Sequence, residues 1–282
     1  MILKTAHKIA LAAGASRLVL SARALVGAGP TACVERLGAR WRLDLREGID
    51  FSIYLLGAFE PGTVRAYRRL IEAGDTVLDI GANIGAHTLP MASLVGASGQ
   101  VVAFEPTAFA YGKLQQNIAL NPHLASRIVA FQCMLKDDGN DTLPSSLFSS
   151  WPLSARGERH AKHKGMGMTT AGAKSASLDE IARTIDLKRI DFIKIDVDGH
   201  ELPVLRGAAR SIDRFRPTIL IELSPYVHEE EGHSFDDLVL FLTGRGYLFR
   251  DANSGRELPH DAARLRAIIP DGGGINAIAT PG

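Results

Sequence analysis

The segment VLDIGANIGAHT, residues 77–88, decides the fold of this 282-residue chain. Its apolar start predicts a buried strand over residues 76–80, its glycines predict a tight turn over residues 81–85, and a helix is expected from Ala86 onward. A second apolar run, VVAFEP, carries Glu105 about 20 residues after the turn. A carboxylate there can accept hydrogen bonds from both hydroxyls of a ribose. The two segments therefore predict an adenosine-containing cofactor at the helix N-terminus.

Polar residues around the turn distinguish two classes of adenosine cofactor. A dinucleotide site has the pattern G-x-G-x-x-G, whereas here Asn83 replaces the middle glycine and Asp79 precedes the turn. The Asp79 carboxylate would repel a pyrophosphate and suits a ligand with a positive amine, such as S-adenosylmethionine. Asn83 is tolerated because asparagine adopts positive φ more readily than most residues. The alternative is that Asp79 caps the helix and the glycines only allow close packing of strand and helix.

Composition and charge limit the remaining classes. With 46% hydrophobic residues, the chain can form one large α/β domain and an extension. Its 32 Lys and Arg nearly balance 31 Asp and Glu, so binding to nucleic acid or to an anionic membrane is disfavoured. Two distant cysteines, Cys33 and Cys133, indicate a reducing compartment, and we expect a cytoplasmic protein. No pattern in the sequence indicates an oligomeric state.

The first 60 residues are predicted to form an extension of helix and strand before a domain over residues 61–282. Residues 9–29 are rich in Ala, Leu and Val, but Arg17 and Arg23 interrupt them. No run therefore reaches the roughly 18 to 20 apolar residues of a membrane span, and Arg17 also breaks the apolar part of a signal peptide too early. We expect an amphipathic helix that packs on the domain, with a position at a membrane surface as the alternative.

Strand and helix patterns alternate along the rest of the chain, which predicts an α/β fold with a mostly parallel sheet and helices on both faces. The predicted strands are 76–80, 101–104, 128–133, 192–195, 218–222, 247–250 and 275–279. The predicted helices are 86–95, 109–120, 178–185, 202–211 and 235–244. Residues 140–176, rich in Ser, Gly, Pro and His with a basic cluster over 156–164, predict a long mobile loop over the site, with functionless disorder as the alternative.

Six segments, in this order along the chain, resemble one known family. They are GDTVLDIGANIGAHT, GQVVAFEP, LQQNIALN, SLDEI, IDFIKIDVDGHELPVLRGA and PTILIEL. This set resembles the FkbM family of S-adenosylmethionine-dependent methyltransferases, and parts of residues 41–60 resemble the lead-in of that family. One departure is visible, because the family commonly has Asp-x-Glu-Gly where residues 196–199 read DVDG.

The resemblance carries expectations about fold and activity. It implies a Rossmann-like, Class I methyltransferase domain with seven strands, the last of them antiparallel. It also implies S-adenosylmethionine as methyl donor and methylation of a hydroxyl on a sugar or secondary metabolite. The expected partner is therefore a small-molecule or glycan acceptor.

The residues expected to bind the cofactor lie at the ends of the first three predicted strands of this sheet. They are Asp79, Gly81, Ala82, Asn83, Gly85, Glu105, Met134, Leu135 and Asp137. The glycine turn is expected to bring backbone against the methionine moiety, Asp79 to balance its amine and Glu105 to bind the ribose. The last three residues are expected beside the adenine, where an Asp can accept a hydrogen bond from the amino group.

The reaction site is expected where the fourth and fifth strands end. Here the segment IKIDVDGHE, residues 193–201, brings several titratable side chains together. Methyl transfer to oxygen requires alignment of donor and acceptor and removal of the hydroxyl proton, so Asp196 and Asp198 are candidate bases, with His200 as a weaker candidate. An Mg²⁺ ion held by Asp196, Asp198 and Glu222 is an alternative.

Structural roles compete for several of these residues. Glu201 fits a carboxylate in the first turn of a helix, and Asp198 equally fits a helix cap. Lys194, inside a predicted strand, fits an ion pair with a neighbouring acid. His228 and His233 flank a run of Glu residues and are expected to be solvated.

Two other functions remain open on the sequence. One is a nucleotide-binding oxidoreductase, for which the G-x-G-x-x-G turn is expected, and this chain lacks that turn. The other is a catalytically silent module that binds S-adenosylmethionine, in which loss of the acidic cluster at residues 196–201 would be expected.

Overall fold

Helices and strands alternate along the chain, as the apolar patterns predict. The structure is a computed structural model that describes residues 5–137, 143–153 and 165–282, with side chains described from residue 10 onward. The helices are α1 (Thr5–Leu25), α2 (Gly48–Leu56), α3 (Pro61–Tyr67), α4 (Thr88–Leu94), α5 (Ala108–Ala119), α6 (Pro122–Ala125), α7 (Leu178–Thr184), α8 (Glu201–Gly207), α9 (Ala209–Phe215), α10 (Pro225–Glu230), α11 (Phe235–Thr243) and α12 (Ala262–Ile268). The strands are β1 (Thr31–Arg36), β2 (Ala39–Asp44), β3 (Thr76–Ile80), β4 (Gln100–Phe104), β5 (Ile128–Phe131), β6 (Cys133–Leu135), β7 (Ser146–Ser150), β8 (Met166–Thr169), β9 (Lys174–Ala176), β10 (Phe192–Ile195), β11 (Thr218–Leu223), β12 (Tyr247–Asp251) and β13 (Ile275–Pro281).

Seven strands form one sheet in the order β12, β13, β11, β10, β3, β4, β5. The five strands from β11 to β5 pair in parallel, whereas β13 runs antiparallel to both of its neighbours, β11 and β12. Every residue of β3 is buried, as expected for a central strand of a parallel sheet that is covered on both faces. The predicted Rossmann-like α/β fold with an antiparallel last strand is confirmed.

Alternate side chains of each strand enter separate hydrophobic cores on the two faces of the sheet. Leu78 belongs to the first core, whereas Val77 belongs to the second core together with Trp41 of β2. The alternation places Asp79 on the second face, and the register of β3 with β10 places Lys194 directly beside it. The N-terminal extension therefore covers the face on which these two charged residues lie.

Helix α1 packs on the protein through one side. Ala12, Ala13 and Val19 contact the second core, and Ser16 Oγ donates a hydrogen bond of 2.8 Å to the carbonyl oxygen of Leu45. This contact confirms the predicted packing. Within the three described ranges, no helix combines the length and the apolar character that crossing a membrane requires.

Two predicted elements are each divided in the structure. The predicted strand 128–133 ends as β5, and β6 leaves the main sheet to pair in parallel with β9. Between them, the Gln132 side chain donates to the carbonyl oxygens of Pro106 and Ala171. The predicted helix 202–211 becomes α8 and α9, and at this break Gly207 lies so close to another segment that an added Cβ would meet the carbonyl oxygen of Lys136 at 2.0 Å.

Within the predicted loop over residues 140–176, the described residues form three short strands. β7 and β8 pair antiparallel, and β9 pairs with β6. Phe148 is their only aromatic residue and Thr169 their only β-branched one, so the sequence carries a weak strand signal here. The basic cluster between residues 156 and 164 lies outside the described residues.

Candidate functional site

The turn after β3 depends on residues that adopt positive φ. Gly81, Asn83 and Gly85 have φ of 82°, 48° and 89°, in the left-handed region that Gly and Asn tolerate. A Cβ at Gly81 would lie 1.9 Å from the carbonyl oxygen of Asp196, and one at Gly85 would lie 2.8 Å from Leu114 Cδ1. The turn therefore lies against the end of β10, so the predicted cofactor turn and the predicted reaction site meet.

Glu105 joins the same turn to the end of β4. Its Oε2 accepts a hydrogen bond of 3.0 Å from the backbone N–H of Asn83, and its Oε1 accepts bonds of 2.9 and 2.5 Å from the backbone and hydroxyl of Thr107. Ala82 is fixed separately, since its N–H donates to the carbonyl oxygen of Phe104 at 2.9 Å. A carboxylate accepts about four hydrogen bonds, so these bonds leave capacity for one more donor. Burial raises the pKa of Glu105.

Strand β7 lies on the turn, although no secondary structure was predicted for it. Asn83 Nδ2 donates to the carbonyl oxygen of Ser149 at 2.9 Å, and Ser149 Oγ donates to Thr107 Oγ1 at 3.0 Å. The N–H of Gly48 donates to the carbonyl oxygen of Trp151 at 2.9 Å. The described first part of the predicted loop thus connects the glycine turn, Glu105 and the N-terminal extension.

Asp79 and Lys194 form a buried ion pair beneath the turn. Lys194 Nζ lies 3.6 Å from Asp79 Oδ1 and 3.3 Å from Asp196 Oδ2, and the Lys194 and Asp79 side chains are 1% and 0% exposed. Thr88 Oγ1 donates to Asp79 Oδ2 at 2.6 Å, while Asp79 Oδ1 has no hydrogen-bond partner among the described residues. Burial raises the pKa of Asp79. The predicted pairing of Lys194 with an acid is confirmed.

One alternative role of Asp79, that of a helix cap, is excluded. The N-cap residue of α4 is His87, so Asp79 does not cap this helix. Burial alone would lower the pKa of Lys194, but the charges of Asp196, Asp79 and Glu60 outweigh burial and raise it. Lys194 is therefore charged, and it already balances much of the Asp79 charge.

Carboxylates gather at the carboxyl ends of β10 and β11. Asp196 is 31% exposed, and Asp198 follows with φ of 48° in the left-handed region. Burial and the charge of Asp196 raise the pKa of Asp198 and that of Glu222 well above their usual range. Asp198 is not the helix cap that was one of its alternatives, because α8 has His200 as its N-cap residue.

Glu60 belongs to this group, although it was not predicted as a site residue. Its Oε2 accepts hydrogen bonds from Thr63 Oγ1 at 3.0 Å and from Asn276 Nδ2 at 3.1 Å. Burial and the charge of Asp196 raise the pKa of Glu60. Its φ of 44° is strained for a non-glycine residue, and such strain is often found at functional sites. The sequence feature that could have indicated Glu60 is its position within residues 41–60, parts of which resemble the segment that precedes the domain in the FkbM family.

The Mg²⁺ interpretation gains no support from this arrangement. In the described part of the chain, no three His, Cys, Asp or Glu side chains are placed so that they would hold a metal ion. The Lys194 ammonium lies 3.3 Å from Asp196 Oδ2, so a metal ion bound by Asp196 would be repelled by this positive charge.

Glu201 fixes the backbone of the loop that carries Asp196 and Asp198. Its Oε1 accepts from the N–H of Val197 and its Oε2 from the N–H of Gly199, both at 3.1 Å. It is the first residue of α8, as predicted. The Glu201 carboxylate therefore holds the backbone of this loop in place.

His228 lies directly behind Glu201, and the expectation that it is solvated was wrong. The residue is 0% exposed because α10 packs its side chain against α8 and the preceding loop. Its Nδ1 lies 3.2 Å from the carbonyl oxygen of Gly199, so Nδ1 carries the hydrogen, and its Nε2 lies 3.3 Å from Glu201 Oε2. Nε2 makes no hydrogen bond to a described residue, so the two side chains are close neighbours without being bonded. Burial raises the pKa of Glu201 to about 7 and lowers that of His228 to about 4.

The stability of variants at these two positions is expected to depend on pH in opposite directions. Glu201 contributes stability below about pH 4.3, its unfolded pKa, and this is lost as the pH rises to about 7. His228 contributes stability above about pH 6.5, and this is lost as the pH falls to about 4. Relative to wild type, the free energy of unfolding should therefore rise with pH for Glu201→Gln and fall with pH for His228→Asn, each by about 2–3 kcal/mol. Urea denaturation between pH 4.5 and 7.5 measures both, and parallel trends would contradict the assignment.

His200 belongs to a second group of side chains. Its Nε2 is 3.5 Å from Glu231 Oε2, and its ring centroid is 5.7 Å from that of His233. Burial lowers the pKa of His200. The structure thus brings Asp196 and Asp198 to the turn but gives His200 other partners.

The three residues predicted beside the adenine occupy different environments. Leu135 is buried in the first core, Met134 is half-buried and Asp137 is exposed. The charge of Asp137 acts on His233. The adenine position stays a prediction.

The strand order, the glycine turn and the carboxylate after β4 together define a Rossmann-like methyltransferase fold. The model of the Methyltransferase FkbM domain matches residues 79–249, more than half of the chain. The chain belongs to the FkbM methyltransferase family.

Known relatives are similar over part of their length. The chain is 31% identical to Methyltransferase sdnD of Sordaria araneosa, over 46% of this chain and 59% of that protein. It is 28% identical to Hexuronic acid methyltransferase AglP of Haloferax volcanii, over 54% of this chain and 58% of that protein. The chain thus spans less than two thirds of the length of either relative. Among solved structures, methyltransferase FkbM of Methylobacillus flagellatus KT has a TM-score of 0.43 and 21% identity, over 73% of this chain and 43% of that chain.

Proposed function

We propose that the protein is an S-adenosylmethionine-dependent methyltransferase that methylates a hydroxyl group. The single observation that carries the proposal is the glycine turn, because it joins Asn83 to Glu105, which keeps acceptor capacity, and brings Gly81 against Asp196. Asp79, Gly81, Ala82, Asn83 and Gly85 would hold the methionine moiety, and Glu105 would hold the ribose. When bound, S-adenosylmethionine supplies an electrophilic methyl group.

Asp196 is the carboxylate that removes the proton from the acceptor hydroxyl in this proposal. It lies at the rim of the turn, is partly exposed, and has the Lys194 ammonium 3.3 Å away to stabilise a carboxylate. A carboxylate within hydrogen-bond reach of the acceptor hydroxyl can act as its general base. Asp198 takes a different part, since burial raises its pKa and so favours the neutral form, which can donate a hydrogen bond to the acceptor.

The acceptor is best described as an uncharged hydroxylated molecule, such as a neutral sugar or a secondary metabolite. Glu60, Asp196, Asp198 and Glu222 lie together with Lys194 as their cation, and carboxyl groups suit hydroxyls as hydrogen-bond partners. An acidic acceptor would place its carboxylate beside that of Asp196, the base in this proposal, and like charges repel each other. The hexuronic acid methyltransferase among the relatives supports a sugar as the acceptor, although the sugar in its name carries an acid group.

A thermal-shift comparison tests this function against the two alternatives. We expect S-adenosylhomocysteine to raise the melting temperature of the protein and NAD to leave it unchanged, because binding to the folded state alone stabilises it. Stabilisation by NAD alone would indicate an oxidoreductase. Labelled methyl transfer from S-adenosylmethionine to a panel of hexoses and hexuronic acids then separates an enzyme from a silent module. Transfer mainly to hexuronic acids would contradict the proposed neutral acceptor.

The cytoplasmic location remains part of the proposal and rests on the two cysteines. Both are free thiols, Cys33 exposed and Cys133 buried. Free thiols are usual where glutathione keeps cysteines reduced.

A further inference from the structure

Helix α1 carries a row of exposed leucines. Leu11, Leu18 and Leu25 are 67%, 75% and 89% exposed, and Val26, directly after the helix, is exposed as well. Positions seven residues apart differ by only about 20° around an α-helix, so the three leucines form one face, the leucine face of α1. Single exposed leucines are common on proteins, whereas a row of them on one helix marks an interaction surface.

The opposite side of α1 packs on the protein, and Ser16 is buried there. The residues of α1 that contact the second core are Ala12, Ala13, Ala15, Val19 and Leu20. Most of these side chains are small. A helix that only covers a core is expected to turn its largest apolar side chains inward, because burial of Leu stabilises a protein more than burial of Ala. The leucine face is therefore available for a second contact, outside the chain.

The charges of the chain are distributed unevenly around this helix. All 31 Asp and Glu residues follow residue 34, whereas four of the 32 Lys and Arg residues precede it. Lys8, Arg17 and Arg23 belong to α1, and Lys4 comes directly before it. The nearly balanced total charge, which disfavoured an anionic membrane, does not describe the segment that carries the leucine face.

A leucine face in a segment with positive and no negative charge favours one kind of partner. Nucleic acid would match the charge but would leave the leucines without an apolar partner. A second copy of the chain would match the leucines but would bring two positively charged segments together. An anionic lipid surface matches both features, because acyl chains take up leucine side chains and anionic headgroups attract Lys and Arg.

We propose that α1 binds the surface of an anionic membrane through its leucine face and lies in the plane of the interface, while its opposite side stays packed on the second core. Arg17 is exposed in the middle of α1, and its long side chain carries the charge toward the headgroups. Helices of this kind enter the boundary between headgroups and acyl chains by about 5–10 Å. The inference does not depend on the proposed methyl transfer, and it supports the membrane-surface alternative that the sequence left open for residues 9–29.

Sedimentation of the full chain with lipid vesicles tests the inference. One set of vesicles contains phosphatidylcholine with about 30% phosphatidylserine, and the other contains phosphatidylcholine alone. We expect wild type to bind the anionic set at least about tenfold more strongly, because the headgroups attract several positive side chains at once. Salt should weaken this binding between about 0.1 M and about 1 M, since it screens the attraction.

Leu11→Glu combined with Leu18→Glu is the decisive variant. It removes two apolar contacts and adds two negative charges, so binding to the anionic vesicles should fall at least about 30-fold. Leu240→Glu is the matched control, because Leu240 is also 67% exposed but lies on α11, and its effect should stay within about twofold. Arg17→Gln changes the charge alone and should weaken binding about fivefold.

Three results would overturn the inference: no binding of wild type, equal binding to both sets of vesicles, or an equal loss in Leu240→Glu and in the double variant. Light scattering tests the second copy as partner, and a wild-type dimer that Leu18→Glu converts to monomers would also overturn the inference.

A measurement of folding keeps the vesicle result interpretable. Melting temperatures of the variants should stay within about 2 °C of wild type, because exposed side chains contribute little to stability. Arg17→Gln leaves the leucines in place and carries the test on its own if the double variant melts lower.

Discussion

Replacing Lys194 with Met is expected to lower the free energy of unfolding by about 3–5 kcal/mol. The substitution keeps the length of the side chain but leaves the 0% exposed Asp79 without its cation. Removal of one partner of a buried ion pair is costly because the remaining charge stays desolvated. Denaturation with urea at pH 7 measures the loss.

Lys188→Met is the control for this substitution. Lys188 also pairs with an acid, Asp186, but its side chain is 76% exposed, so a much smaller loss is expected. Equal losses for the two variants would contradict a stabilising role of the buried pair. The double variant with Asp79→Asn and Lys194→Met should recover part of the loss, since neither buried charge then remains.

The pH dependence of the Lys194→Met variant gives a second check. Burial already raises the pKa of Asp79, and without the ammonium this pKa should rise further. A group with a raised folded pKa contributes stability below its unfolded pKa, about 3.9 for Asp, and this is lost as the pH rises through the folded value. The deficit of the variant should therefore be small near pH 4 and grow toward pH 7.

Asp196→Asn is expected to lower kcat by about 10²- to 10⁴-fold with the acceptor that the sugar panel identifies. An amide cannot take the proton of a hydroxyl, whereas a carboxylate beside Lys194 can. Affinity for S-adenosylhomocysteine should stay within about threefold, because an amide still fits at this position and the loss is confined to proton transfer. Single-turnover rates of labelled methyl transfer measure the effect.

Asp198→Asn is the matched comparison. An amide reproduces the donor of a protonated carboxyl, so this variant should lose only about tenfold in kcat. If Asp198→Asn proves to be the more damaging of the two, the base is Asp198 and the roles are exchanged. Asp198→Glu restores the residue that the family commonly has and tests whether one more methylene is tolerated.

The elements that local pattern determines were predictable. The apolar run of β3, the glycines of its turn and the acidic ends of β4 and β10 lie in continuous segments, so periodicity and spacing located them within a few residues. The mostly parallel sheet was predictable as well, because strand and helix patterns alternate along the chain. Glu201 was placed correctly in the first turn of its helix for the same reason.

Residues that depend on distant partners were not predictable. Glu60 is held by Asn276 of β13, and no local signal joins two residues 216 positions apart. The burial of His228 follows from the contacts of α10 with Glu201 and Gly199, whereas its neighbours in sequence are charged. The hairpin of β7 and β8 has few of the side chains that reveal a strand.

The N-terminal extension has a thermodynamic consequence for the cofactor turn. Trp41 and Leu43 of β2 lie in the same core as Val77 of β3 and Leu89 of α4, the two elements that hold the turn in place. Parts of a protein that share a core open together, and a ligand that binds only the closed form raises the free energy of that opening. Binding at the turn therefore protects backbone amides of β2 from hydrogen exchange, so the first strands of the chain report whether the cofactor site is filled.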